Sequence, residues 1–546
     1  MIRFVFATSA GLIVAFAAVS RGRDVPKPGA TPTAPDANAF DNNTIDPDGG
    51  LADQTTHDRD REAFDKTDSI TPDGLGPTYN AQSCRECHQN PISGAASQIL
   101  EQRAGHLGRR GTFVDPDIHL PGGDTIRMRN LINDRAICPQ AQERVPEREP
   151  IRTSRLSLNL LGDGLVEAIG DETVLELRRK QCGTKAGPGK GICGVAIWVP
   201  VLEARSGHQQ KRLGRFGWKN QHASLLSFAA DAYINEMGIT NCLQKEEFTQ
   251  TCNPPVTQDP NGADGAVTEP NDLPAADGGN VTCEAAAGAD VDGGTSEKPE
   301  ADIDRFARFV RATKPPERDR ALAGSPQVQR GERKFKTIGC AICHTPNMRT
   351  MRAGEVINGG AFTVPAALGD KPLAPYSDFL LPDVGTNDNV AISGAEHFTP
   401  ARYREQLRKD RIKKIAGSTT DVDDWMCEEG MEECPAEQRP TPSALQSAGN
   451  VPFYKRKTCD PRRLAKTEFS AATSDLFIDV QCTANKLRTP PLWGLRLRTR
   501  LMHDGQSARM EDAILRHQEE ARHVTSKFSG LSPQDKAAVI AFLLSL

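Results

Sequence analysis

Cys84-Arg85-Glu86-Cys87-His88 and Cys340-Ala341-Ile342-Cys343-His344 constrain this chain more than any other feature. Each has two thiols three positions apart, followed at once by a histidine. Two thiols so spaced can add to the two vinyl groups of one haem, and the adjacent histidine is then placed to ligate its iron. With 14 cysteines and 11 histidines in 546 residues, chance supplies the pattern far less than once, yet it occurs twice. A zinc ribbon joins two Cys-x-x-Cys knuckles over a short loop, whereas 256 positions separate these motifs. A redox dithiol has no need of the following histidine. The expected cofactors are therefore two covalently bound haem c groups, one on Cys84, Cys87 and His88, the other on Cys340, Cys343 and His344. Short helices wrapped round a haem can use the macrocycle as apolar core. The expected fold is accordingly mainly α, two c-type cytochrome domains facing each other, with loop-rich insertions.

The start of the chain fits this chemistry. Met1-Ile2-Arg3 is a short basic region, Phe4 to Val19 is an almost uninterrupted apolar run, and Ala18-Val19-Ser20 offers small residues before Arg21. Residues 1–20 read as a cleavable export signal. The run is short for a membrane span, which needs about 20 residues, so an uncleaved anchor is the lesser alternative. Haem c is attached after export, and the expected location is the periplasm of a Gram-negative bacterium, with no membrane span after cleavage. Ten cysteines remain outside the two motifs, an even number that argues for disulfides in an exported protein. Cys182 with Cys193 and Cys427 with Cys434 are the attractive local pairs, although spacing leaves the connectivity open. A net charge of −5 without a long basic stretch argues against a nucleic-acid partner.

Glycine and proline number 47 and 38, implying many turns and long connections. Residues 21–60 read as a flexible leader, 61–252 as an N-terminal haem region, and 253–300 as a low-complexity insertion. Within that insertion Asp290-Val291-Asp292-Gly293 lacks the distal glutamate of a calcium loop. Residues 301–327 carry a connecting helix marked by Ile303, Phe306 and Val310 and ended by Pro315-Pro316. The second haem region spans 328–546, interrupted by an insertion at about 417–485. Met510 to Phe528 reads as one helix with the stripe Ile514, His517, Ala521, Val524 and Phe528. Ser532-Pro533-Gln534-Asp535 is a helix start, with a Ser cap, Pro in the first turn and an acid three residues after the cap. Val539, Phe542, Leu543 and Leu546 stripe that last helix.

Arg488-Thr489-Pro490-Pro491-Leu492-Trp493-Gly494-Leu495, Met502-His503-Asp504-Gly505, Ala513-Ile514, Gly217-Trp218-Lys219, Glu236-Met237-Gly238 and Tyr376-Ser377-Asp378-Phe379-Leu380-Leu381 carry a resemblance. With the two haem motifs, they make the chain similar to the bacterial di-haem cytochrome c peroxidase superfamily, and within it to the di-haem oxidoreductases often labelled thiol oxidoreductases. The resemblance implies that His517, fourteen positions after His503, is the second axial ligand of the C-terminal haem, where peroxidases usually have Met. It implies that Trp218 bridges the two haems and that Glu236 is the acid beside the peroxide site. One departure is Phe228, where a glutamine is usual ten positions after the tryptophan. His106, in Gly105-His106-Leu107-Gly108, matches the distal ligand of the first haem, with His119 and His222 as competitors and an open iron as a further alternative. Calcium at the domain interface would use carbonyls at Arg498 and Arg500, where two flanking cations disfavour it.

The activity so implied is electron transfer from the C-terminal to the N-terminal haem, with reduction of hydrogen peroxide or a similar oxidant. The electron donor would be a small redox protein or cytochrome. The alternatives are a non-catalytic electron-transfer cytochrome and an accessory protein of periplasmic iron handling.

Overall fold

The structure, a computed structural model, describes residues 41–70, 73–107, 113–127, 129–205, 211–244, 247–252, 301–392 and 483–546. The export signal, the 253–300 insertion, nearly all of the 417–485 insertion and the Cys427/Cys434 pair lie outside those residues.

Helix α1 (Gln54–Asp65) is capped by Asp53, whose carboxylate accepts the Thr56 amide at 2.7 Å. It begins inside the stretch expected to be a flexible leader. Its buried residues His57, Asp60, Ala63 and Phe64 lie at helical spacing. α2 (Asp171–Cys182) ends at a cysteine bonded to Cys193, as the short spacing had favoured, and Cys138 pairs with Cys252. Ser224 caps α3 (Leu225–Met237), accepting from the amides of Leu226 and Ser227. α3 stops at Gly238 in the left-handed region at φ 68°, where an added Cβ would press on the Thr78 carbonyl. α4 (Asp302–Ala312) is the predicted amphipathic connector, burying Ile303, Phe306 and Val310. It holds α1 through Phe309, 4.9 Å from Phe64 between ring centres, and through Arg308, which grips the buried Asp60 carboxylate at 2.6 and 2.7 Å.

In the C-terminal part, α5 (Pro326–Ile338) leads directly into the second Cys-x-x-Cys-His motif. The stretch expected to be a single helix over Met510–Phe528 is broken into α6 (Met510–Leu515), a 3-10 turn at Glu519–Ala521, and α7 (Arg522–Ser529). The amides of Gln518 and Glu520 leave the helical ladder and donate to the carbonyls of Val384 and Asp383 at 2.9 and 3.0 Å. Tertiary pairing has won over a continuous apolar stripe. α8 (Pro533–Leu543) starts as predicted, with the Ser532 hydroxyl accepting the Asp535 amide, and lies against α5.

The mainly helical pair of cytochrome domains does not describe this fold. Among the described residues helix takes 32% and strand 15%, the strand being spread over many small sheets. The largest pairs β1 (Leu100–Leu107) with β2 (Phe113–Val114), β3 (Leu131–Ile132) and β4 (Ile151–Leu156), all antiparallel. The β1–β4 register runs from Leu100 opposite Leu156 to Gly105 opposite Ile151. Most other strands are two or three residues long, too short for a period-two pattern to stand out in sequence. No helix among the described residues is long and apolar enough to cross a membrane.

Candidate redox site

Two cavities of about 310 and 220 Å³ lie side by side and share a wall. The N-terminal cavity is lined by Cys84, Cys87 and His88. The two thiols sit on a single helical turn capped by Ser83, and burial pushes both well above the ordinary thiol range. A redox dithiol needs the opposite shift. The His88 Nδ1 atom faces the Ala95 carbonyl at 3.3 Å, and burial lowers the imidazole to about 4. A carbonyl can only accept, so Nδ1 carries the proton and Nε2 keeps a free lone pair.

The C-terminal cavity repeats the arrangement. Cys340, Cys343 and His344 line it, and burial pushes the Cys340 thiol up to about 12. His344 Nδ1 donates to the Tyr376 carbonyl at 2.9 Å. The Tyr376-to-Leu381 stretch makes this approach with positive φ at Tyr376 (51°) and Phe379 (56°). Facing His344 is His517, in the break between α6 and α7, its Nδ1 donating to the Ala513 carbonyl at 2.7 Å. The two rings stand 6.4 Å apart between centres. A metal held between the two rings by bonds of about 2 Å each would fit that separation. The described residues contain no group of three or more His, Cys, Asp or Glu gathered for a metal ion.

Trp218 belongs to the lining of both cavities, and its indole Nε1 donates to the carbonyl of Leu156, which also lines both. Behind it lies a buried charge cluster. Arg155 grips Asp388 at 3.2 and 2.9 Å. Lys219 Nζ is 2.7 Å from the same carboxylate and donates to the carbonyls of Thr483, Ala484 and Lys486 at 3.0, 2.9 and 2.7 Å. His503 stands 3.6 Å from Asp388, with its ring 6.2 Å from that of Trp218. Arg498 and Arg500, whose carbonyls the resemblance offers to calcium, line the C-terminal cavity.

Glu236 and Phe228, both on α3, line the N-terminal cavity. None of the three candidate distal histidines does. His106, on β1, turns to Glu149 at 2.7 Å; His119 is exposed beside Thr125; and His222 is buried against Asp231 at 3.1 Å. His88 is the sole histidine among the described lining residues of that cavity, whereas the other cavity holds His344, His503 and His517. Sequence reasoning passed over Glu101, Arg103 and Asn80, which reach the cavity from β1 and a loop, and Asp388, which belongs to none of the quoted motifs.

The family model described as "Di-haem oxidoreductase, putative peroxidase" matches residues 139–256, 277–400 and 457–546, more than half of the chain. The chain belongs to the di-haem oxidoreductase family. No curated protein and no solved structure matched it. Haem is thus the cofactor class of this di-haem oxidoreductase, and the residues present fit it. Two apolar-walled cavities each carry a neutral imidazole with Nδ1 anchored to a carbonyl, the arrangement that orients a metal-ligating histidine. The free cysteines among the described residues are the four of the two motifs.

Proposed function

We propose that this di-haem oxidoreductase is a periplasmic, exported c-type enzyme that reduces hydrogen peroxide or a similar oxidant. Cys84, Cys87 and His88 hold one covalent haem c, and Cys340, Cys343 and His344 hold the other, with His517 as the second axial ligand at the C-terminal site. Haem supplies the one-electron chemistry; the chain supplies placement, the electron path and protons. Electrons from a small redox protein or cytochrome enter at the C-terminal cavity and pass by Trp218 to the N-terminal cavity. There two electrons and two protons convert peroxide into two waters, with Glu236 as the proton donor.

The observation that carries this reading is the unequal supply of histidine. The C-terminal cavity has facing histidines 6.4 Å apart, while the N-terminal cavity has His88 alone among its described lining residues and the Glu236 carboxyl group on its wall. A carrier with two six-coordinate haems has no use for that asymmetry.

Export with haem attachment should yield two haems per chain that resist acid-acetone extraction, and Cys84→Ala with Cys87→Ala should release one. The ferric protein should show one low-spin haem and one that responds to peroxide, with turnover from an artificial donor. Two inert low-spin haems without turnover, oxidised or half-reduced, would instead establish an electron carrier. His517→Met should raise the potential of the C-terminal haem while keeping it low-spin, because a thioether favours the ferrous state more than imidazole does. A spectroelectrochemical titration unchanged by the substitution would remove His517 from the iron.

A further inference from the structure

β1 and the end of α3 bring two carboxyl groups together on the wall of the N-terminal cavity. Glu101 and Arg103 are two positions apart on β1 and both reach that wall. Arg103 donates from Nε to Glu101 Oε1 at 2.7 Å, and its Nη1 is fixed by the Asn130 side chain at 2.8 Å. Glu236, at the last turn of α3, accepts from the Asn80 side-chain amide at 2.7 Å through Oε2. The Glu101 and Glu236 side chains are hydrogen-bonded to each other. Two carboxylates in such contact repel each other, which favours a single proton shared between them.

Their surroundings decide which group holds it. Glu101 has a guanidinium at hydrogen-bond distance and a second cation, Arg155, close by on β4. Glu236 has a neutral amide as its hydrogen-bond donor, and the charge of Arg103 acts on it only as a minor influence. The other charged or titratable groups on this wall are Cys84, Cys87, His88, Asp134, Arg135, Asp231 and Tyr233, and Asp231 is engaged by His222 at 3.1 Å. Burial, followed by the charge on Glu101, pushes Glu236 up to about 8, while Arg103 holds Glu101 below its ordinary range against the opposing effect of burial.

We propose that Glu101 is the positioning and reloading partner of Glu236: the pair shares one proton, Glu236 delivers it to an oxygen in the cavity, and Glu101 replaces it from water. When the Glu236 O–H gives up its proton, two carboxylates are left in contact. The Glu101 side chain keeps 21% of its surface exposed, on the cavity wall, where water entering the cavity can hand it a proton. That proton crosses the hydrogen bond to Glu236, and Glu101 returns to its anionic form against Arg103. Each cycle moves one proton in and one out. The use of the proton rests on the peroxide reading; the shared proton does not.

Glu101→Gln keeps a hydrogen-bonding side chain but removes the anion that holds Glu236 in its acid form. The alkaline limb of turnover should move to lower pH by about one unit or more, so that the loss, which near pH 6 reflects slower reloading alone, is several-fold greater near pH 8. Glu101→Asp should restore most of the profile. An equal loss at every pH would mark Glu101 as merely structural and overturn the proposal. Infrared spectra of the oxidised protein carrying labelled glutamate, without peroxide, read the pair independently of turnover. Of the protonated carboxyl absorption at neutral pH, to which Glu203 and Glu247, both raised by burial, can also contribute, one component should vanish in Glu236→Gln and titrate at lower pH in Glu101→Gln. Absence of that component from the unsubstituted protein sinks the pair. A component that behaves as stated, in a protein whose turnover Glu236→Gln leaves intact, upholds the pair and removes the peroxide role.

Discussion

Asp388→Ala should destabilise the holoprotein by about 3–5 kcal/mol, the scale for removing one partner of a buried ion pair. Asp388 has no exposed side-chain surface; Arg155 keeps 2% and Lys219 keeps 1%. Removing the carboxylate takes away the counter-charge that both cations touch and leaves carbonyls as their nearest partners: Val390 for Arg155, and Thr483, Ala484 and Lys486 for Lys219. Burial alone would raise the Asp388 carboxyl, but Arg155 and then Lys219 hold it well below the carboxylate range. A depressed carboxyl gives its full stabilisation above its unfolded-state value and loses it as pH falls. Here the loss is confined to strong acid. Urea unfolding of native and substituted protein at neutral pH measures the effect; a difference below about 1 kcal/mol would mean that carbonyls and water replace the carboxylate. The same cluster touches His503, which packs edge-on to Trp218, so Asp388→Ala should also slow electron transfer between the cavities.

Glu236→Gln should lower peroxide turnover by about 10²-fold or more, the usual loss when a positioned acid–base group is removed. Glutamine can keep the contacts with Asn80 and Glu101, so folding and haem content should be unchanged while the transferable proton is gone. The pH profile follows from the same site. With Glu236 as the proposed acid, raised to about 8 by burial and Glu101, activity should hold below that pH and fall as pH rises through it. A mobile ordinary carboxyl would give the loss several units lower, near the unperturbed glutamate value. Turnover of Glu236→Gln within a few-fold of the native protein, with the alkaline limb retained, would assign the proton donor elsewhere.

The chemistry of this protein could be read directly from the chain because it is written in adjacent residues. Cys84 to His88 and Cys340 to His344 need no tertiary fold to be recognised, and each histidine turns its Nδ1 atom to a backbone carbonyl. The α4 stripe, the Ser532 cap and the Cys182–Cys193 pair were legible for the same reason: each depends on neighbours within a few turns or a short loop. His517 could be placed from its distance to His503, although the helix expected to carry it is interrupted there. What failed was everything that depends on partners distant in sequence. The small sheets are made of strands of two or three residues whose pairing is fixed by packing, so the expectation of a mainly helical fold did not survive. His106 lies on a strand whose alternation points it at Glu149 instead of the cavity, and no local pattern reveals that side. Glu101 and Glu236 are 135 positions apart, and Asp388 and Arg155 are 233 apart. The sequence by itself determined which groups can bind haem and where the capped helices start. Only the tertiary structure decided which carboxyl groups share a proton and which cations share a counterion, because Coulomb and hydrogen-bond energies depend on distance in space, and the chain's order does not encode it.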